Sequence, residues 1–292
     1  MHCHLRRANL IGMPAAFLAG VRRRIYTRHF STYNHMYHPN AVGRDRLVNR
    51  LSTQIVAISM NVFRVLTELE GVPVRKVSVI PHGFELEGFA NVDPERVSAL
   101  RNRWDLQDDR PVVGVISRFM ELKGIQYIIP AVERLRSSGI DPVLVLANAT
   151  GPYEPEILRL LSSWKEEDYR IIPFEKDVQA LYQLFDALVH VPIDRSIEAF
   201  GQIYVETMAA SVPSVVTLSG IAHELVRDDE NAIVVPYRDS GAIEEGLRRV
   251  LSDGSLRARL AASGRESLEP YSLTNFADAL LAVYRGEGVQ AP

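Results

Sequence analysis

The chain has 292 residues, 47% hydrophobic and 24% charged, with a net charge of −3. Those values are ordinary for a globular protein of two domains, each with a full core, and give no basis for a nucleic-acid partner. Cys3 is the only cysteine, which excludes an intrachain disulfide and a cysteine-based metal site and fits a reducing, cytoplasmic compartment.

Charge is unevenly spread. The first fifty residues hold nine arginines and one aspartate, a net +8, which leaves 24 basic and 35 acidic side chains, a net −11, in the rest. A basic segment on an acidic body reads in two ways. It meets an anionic partner, such as a phosphorylated ligand or the inner face of a membrane touched peripherally, or Arg22, Arg23, Arg24 and Arg28 simply solvate a loop and a strand end. The apolar run at 9–21 is too short for a membrane span and leads into "RRRIYTRH", which reads as a strand rather than a signal-cleavage context.

In chain order, "MHCHL" reads as the tail of a strand. Strands follow at 23–27, 54–59 and 76–80, with helices at 8–20, 41–52 and 60–70. Pro14 is expected to start or kink the first helix. Residues 81–111 are polar and rich in proline, and suit an inter-domain connection with one short helix at 94–103. From 111 the alternation is regular. Strands are predicted at 111–117, 142–148, 169–174, 186–192, 213–218 and 231–236. Helices are predicted at 124–138, 154–166, 177–185, 201–211, 220–227, 240–252, 255–267 and 273–285. Near-continuous apolar strands between helices indicate parallel sheets covered on both faces, hence two doubly wound α/β domains facing a cleft. The first has few strands and reads as lacking its opening part.

Open parallel sheets bind ligands beyond the carboxyl ends of their strands. After the strand ending "HVP", the loop "IDRSIEAFG" enters a helix near Gly201. A helix start offers unpaired N–H groups to an anion, and glycine permits close approach. Glu198 and Glu206 flank that point and are placed to grip hydroxyl groups on either side of a phosphate. Read alternatively, Glu198 is a cap and Glu206 a solvated helix residue. After "VVGVIS", the loop "RFMELKG" carries Arg118 and Lys123 beside another helix start, where two cations would neutralise a diphosphate. No G-x-G-x-x-G follows a strand, no P-loop occurs and no G-x-S-x-G is present, so no dinucleotide cofactor is expected. His2 and His4 share a strand face, but no third metal ligand is evident.

These residues resemble the retaining glycosyltransferases of family four, which have the GT-B fold. "SRFMELKG" looks like their Arg-to-Lys-Gly signature, and "EAFGQIYVETMAASVPSVV" like their E-x7-E motif and following A-x-G-x-P-V-V, with Ser211 where glycine is common. "KVSVIPHGFELEGF" is similar to their V-I-P-N-G-V-D segment, with His82 replacing asparagine, and "YSLTNFADALLAVY" to their closing helix. The resemblance implies three divisions: a partial first domain plus linker (1–107), a nucleotide-sugar domain (108–270) and a helix crossing back (271–292). It implies that Arg118 and Lys123 bind the donor diphosphate, Glu198 contacts the transferred sugar and the backbone at Phe200 and Gly201 holds the distal phosphate. It further implies that Glu206 binds the ribose, and that Pro173 and Phe174 contact the base. His29 would face the sugar, with His4 a weaker candidate. The implied reaction moves a hexosyl group from a UDP-, GDP- or ADP-sugar to a glycan, lipid or small molecule, as in polysaccharide biosynthesis. No metal or other cofactor would be needed. Donor binding without transfer and a GT-B UDP-sugar epimerase are the alternatives.

Overall fold

The computed structural model describes residues 1–106 and 109–287. The expected boundary at 107–108 and the end of the last division, 288–292, lie outside the described residues. Two all-parallel sheets form. The first runs β1 (His2–His4), β2 (Ile25–Arg28), β3 (Gln54–Ala57) and β4 (Val77–Val79), paired in chain order. The second contains β5 (Val112–Ile116), β6 (Val143–Ala147), β7 (Tyr169–Ile172), β8 (Ala187–His190), β9 (Ser214–Val216) and β10 (Ile233–Val234). Its spatial order is β10-β9-β8-β5-β6-β7. The order reverses between β5 and β8, and the crevice at such a reversal is where open α/β sheets take ligands.

The strands are short because their apolar runs are short, and they are central because both faces are covered. Every residue of β6 and β8 is buried, as a parallel sheet between two helix layers demands. One apolar cluster links residues of the first domain, among them Tyr26, Ile55 and Leu66, through Leu100 to Leu188 and Tyr204 of the second. The Leu273–Arg285 helix lies against the first domain: Val283 joins Ile25, Val56 and Ile80, with Phe276 and Leu280 packed on them.

Several expected elements take other forms. The first helix spans Arg6–Leu18 and carries Pro14 inside it, where proline removes one internal hydrogen bond without ending the helix. A one-turn helix, Tyr33–Tyr37, stands where none was expected; five residues are too few to show a 3.6-residue period. The helix expected at 154–166 ends at Leu161. The one expected over 60–70 is α-helical only over Met60–Arg64, then π-helical over Val65–Leu69.

Several of the first-domain arginines are consumed structurally. Arg23 donates to the carbonyls of Tyr284 and Arg285 on the closing helix, and Arg24 to those of Leu51 and Val21. Arg28, almost fully buried, pairs with Glu70 at 2.5 Å.

Candidate active site

The loop after β5 runs through Arg118 to a 3₁₀ turn, Glu121–Lys123, and then at Gly124 enters the Ile125–Ser137 helix. Gly124 has φ +78, and a Cβ there would strike the Val191 carbonyl at the end of β8. Glycine is required because the two loops flanking the reversal point touch. The Ile193 N–H also donates to the Leu122 carbonyl at 3.1 Å.

The loop after β8 is tied at many points. Asp194 Oδ1 accepts from the Ser196 N–H (2.8 Å) and hydroxyl (2.6 Å). Ser219 Oγ accepts from the Glu198 N–H at 3.0 Å and donates to the Asp194 carbonyl at 3.0 Å. The first domain grips the same loop from across the cleft. Ser31 Oγ donates to the Ser196 carbonyl (2.9 Å), Ser59 Oγ to that of Ala199 (2.5 Å) and Asn61 Nδ2 to that of Glu198 (2.7 Å). The side chain of Glu198 is thereby aimed at the crevice.

There Lys123 Nζ lies 2.5 Å from Glu198 Oε1, with side-chain exposures of 22% and 13%. His190 Nε2, the last residue of β8, is 3.3 Å from the same oxygen but off-line for a well-formed hydrogen bond. Burial pushes the Glu198 carboxyl up. The neighbouring His190 and the Lys123 ammonium outweigh it and hold the group at about 2, so it is ionised at neutral pH. Burial likewise lowers His190, against the pull of Glu198.

Glu198 leads into Phe200 and Gly201. Phe200 is buried and its carbonyl accepts from the Ile221 N–H at 2.8 Å. Gly201 has φ +88, and a Cβ there would sit 2.7 Å from the Tyr204 ring. The helix that follows, Gln202–Ala209, has no side-chain cap, so its first N–H groups remain available to an anion. One turn on, Glu206 Oε2 accepts from the buried Tyr182 hydroxyl at 2.8 Å, and burial pushes its carboxyl up.

The other expected residues fall at varied distances from this centre. Arg118 is exposed, and its guanidinium meets no carboxylate among the described residues. It lines a cleft of about 260 Å³ with Thr32 and with Leu122 and Ile197, which adjoin Lys123 and Glu198 in the chain. Pro173 and Phe174 are exposed just past β7, two strands from β5, and Phe174 is 68% exposed. His29 follows β2 and belongs to a row of rings. His2 and His4 lie 4.2 Å apart, His4 and His29 5.5 Å, His29 stacks on His82 at 5.3 Å, and His82 meets the Phe200 edge at 4.8 Å. Burial lowers all four imidazoles, His2 and His29 to about 4. Among the described residues no group of three or more His, Cys, Asp or Glu is placed to hold a metal ion.

Sequence reasoning missed His190, His82 as a stacking residue, and the clasp of Ser31, Ser59 and Asn61. A signal for His190 was present: a histidine closing the apolar strand "DALVH" at the carboxyl end, where ligands bind. The clasp had none, since its members are 137 to 165 residues from their partners.

Residues 97–267, more than half of the chain, match the family model described as glycosyl transferases group 1, and residues 1–87 match glycosyltransferase family 4. The chain is 28% identical over 250 residues to a D-inositol 3-phosphate glycosyltransferase of Xylanimonas cellulosilytica, covering 83% of this chain and 59% of that protein. It is 30% identical over 201 residues to a GDP-mannose-dependent α-(1-6)-phosphatidylinositol monomannoside mannosyltransferase of Mycolicibacterium smegmatis, covering 66% and 52%. The chain therefore spans about half to three fifths of these relatives. HepE of Anabaena, crystallised with UDP and glucose, superposes with a TM-score of 0.87 at 20% identity, covering 97% of this chain and 77% of that one. With the two parallel-sheet domains described above, these matches place the chain in the group 1 glycosyltransferase family, on the GT-B fold.

Proposed function

We propose that the chain transfers a hexosyl group from a nucleoside-diphosphate sugar to a hydroxyl of a glycan, lipid or small molecule, with retention of anomeric configuration. The observation that carries this is the Lys123–Glu198 pair at the β5/β8 reversal, next to the uncapped helix start at Gly201. Lys123 and the N–H groups after Gly201 offer fixed positive potential in a partly buried crevice, where it counts for most. Arg118 adds a second cation. In this reading the donor phosphates take over Lys123, and the released Glu198 carboxylate accepts from sugar hydroxyls. Glu206, held by Tyr182, accepts from the ribose; Pro173 and Phe174 border the base; His29 faces the sugar. The bond from the anomeric carbon to the phosphate oxygen breaks as the acceptor oxygen bonds to that carbon on the same face. The acceptor's proton passes to the departing phosphate, and a nucleoside diphosphate leaves. Charge neutralisation by these residues needs no metal or other cofactor, so a chelator is expected to leave turnover unchanged.

Support comes from the HepE complexes with UDP and with UDP-glucose and from relatives named for transfer to inositol phosphate and phosphatidylinositol mannoside. No helix among the described residues is long and apolar enough to cross a membrane; a cytoplasmic location with peripheral contact through the basic first segment belongs to the same proposal. The chain's shorter span keeps a second reading open, donor binding without transfer. Thermal shift with UDP, GDP and ADP, followed by incubation with the matching sugar nucleotides, tests both. One nucleotide is expected to raise the melting temperature, and Glu206→Ala to abolish the effect. No response to any nucleotide would refute both readings, and a response without turnover would select the second.

A further inference from the structure

One ring nitrogen in the crevice is left unsatisfied. His190 closes β8 and is almost fully buried, yet its Nε2 has no well-aligned acceptor. A buried polar group without a partner is rare in a folded protein and costs the free energy of its lost hydration. Nε2 faces Glu198 Oε1 at 3.3 Å, and Lys123 Nζ already claims that same oxygen at 2.5 Å. Two donors converge on one carboxylate oxygen, and only one of them is served.

The two donors differ in freedom. Lys123 ends the Glu121–Lys123 turn, and its partly exposed side chain is a flexible stem that can swing. His190 is fixed. Its backbone pairs with Val216 of β9, and its carbonyl accepts from the Thr217 N–H at 3.2 Å. The Tyr204 ring meets it edge-on with centroids 5.0 Å apart, and the Tyr204 hydroxyl is committed to the Thr217 carbonyl at 2.8 Å. Lys123, Glu198 and Tyr204 are the titratable groups that face the imidazole. Burial lowers it, Glu198 pulls it up and the Lys123 ammonium lowers it again, which leaves it neutral at pH 7. A neutral imidazole donates from whichever nitrogen carries the proton, and a carboxylate beside Nε2 selects that tautomer.

We propose that His190 is a positioning residue for transfer: when donor phosphate draws Lys123 away, its Nε2–H takes over Glu198 Oε1 and leaves Oε2 for a hydroxyl of the sugar. The inference rests on the transferase reading, in which Lys123 serves the diphosphate. Without a second donor, Glu198 would be a largely buried charge beside an incoming diphosphate, and would take up a proton or turn away. The exchange needs little travel, since Oε1 already lies 3.3 Å from Nε2 and lacks only alignment. The strand end holds the fixed donor, the loop carries the acceptor, and the mobile cation is the one that leaves. The imidazole makes and breaks no bond to the substrate.

Lys123→Met imitates the departure of the ammonium without any ligand, and the test begins there. The Glu198 carboxyl is followed from pH 4 to 8 by its carbon-13 resonance in protein labelled at glutamate Cδ, assigned by its loss in Glu198→Gln. With Lys123 present, His190→Leu is expected to leave the carboxyl ionised across that range. In the Lys123→Met protein, His190→Leu is expected to raise the titration midpoint by about one pH unit, equivalent to a tenfold weaker hold on the ionised form. His190→Gln, whose amide N–H can reach the same oxygen, is expected to restore it. A midpoint indifferent to His190→Leu, or not restored by His190→Gln, overturns the proposal. Kinetics with the sugar nucleotide that supports turnover give a second readout on single variants. His190→Leu is expected to lower kcat about tenfold with donor KM within about twofold, and to move the acid limb of kcat up by about one pH unit, while His190→Gln follows wild type. A fall in kcat with an unmoved acid limb marks a merely structural role and overturns the proposal. The expected carboxyl titrations in a protein that turns over no sugar nucleotide would keep the exchange of partners and sink the transferase reading.

Discussion

Replacing Lys123 by methionine keeps most of the side-chain volume and removes the charge that faces Glu198. In the native protein that carboxyl is held at about 2 rather than 4.5, a displacement on the order of 3 kcal/mol in favour of the folded state at neutral pH. Burial opposes the charged form and His190 shares in holding it, so losing Lys123 alone is expected to cost about 2 kcal/mol, below the roughly 3–5 kcal/mol of breaking a fully buried pair because both side chains keep some exposure. The pH dependence follows from the sign. The folded-state value lies below the unfolded one, so the stabilisation is complete above 4.5 and is lost as pH falls toward 2. With Lys123→Met the carboxyl moves back up. The stability gap from wild type is then widest at pH 7 and narrows by on the order of 0.5–1 kcal/mol by pH 3. Urea unfolding followed by tryptophan fluorescence reads this directly, because Trp104 and Trp164 both pack in or beside the second domain. Adding Glu198→Gln to Lys123→Met is expected to recover part of the loss, since no buried charge is then left unpaired. A Lys123→Met protein as stable as wild type at pH 7, or a gap that does not change with pH, would refute the account of this pair.

Other outcomes follow from particular residues. Ser211 sits at φ +59, so Ser211→Gly is expected to relieve left-handed strain and raise stability by about 0.5–1 kcal/mol, measured by chemical denaturation. Gly124→Ala, by contrast, is expected to destabilise by about 2 kcal/mol or more and to weaken nucleotide binding, because its Cβ meets the Val191 carbonyl at φ +78. The four histidines of the ring row, His2, His4, His29 and His82, have folded-state values below 6.5; stability is therefore expected to be full above pH 6.5 and to fall as pH drops toward 4. A melting series from pH 7 to 5 should show this, and His82→Asn should flatten it.

Much of this protein was legible before any coordinates. Apolar strands between helices specified parallel sheets, because a strand buried on both faces cannot alternate polar and apolar residues. The positions of Glu198, Lys123 and Gly201 followed from loops at carboxyl ends, and the strands were placed to within a few residues. The shorter features were not. Tyr33–Tyr37 is too brief for a period, and β10 shrank to two residues because pairing with β9, rather than propensity, sets its length.

Local pattern specified the two doubly wound layers and the chemical content of each loop. Tertiary structure alone decided that Lys123 and Glu198, 75 residues apart, share one ion pair, and that His82 bridges His29 to Phe200. The reason is the geometry of the sheet reversal and the clasp across the cleft. They bring together carboxyl-end loops from both domains, and no local pattern encodes how distant loops meet.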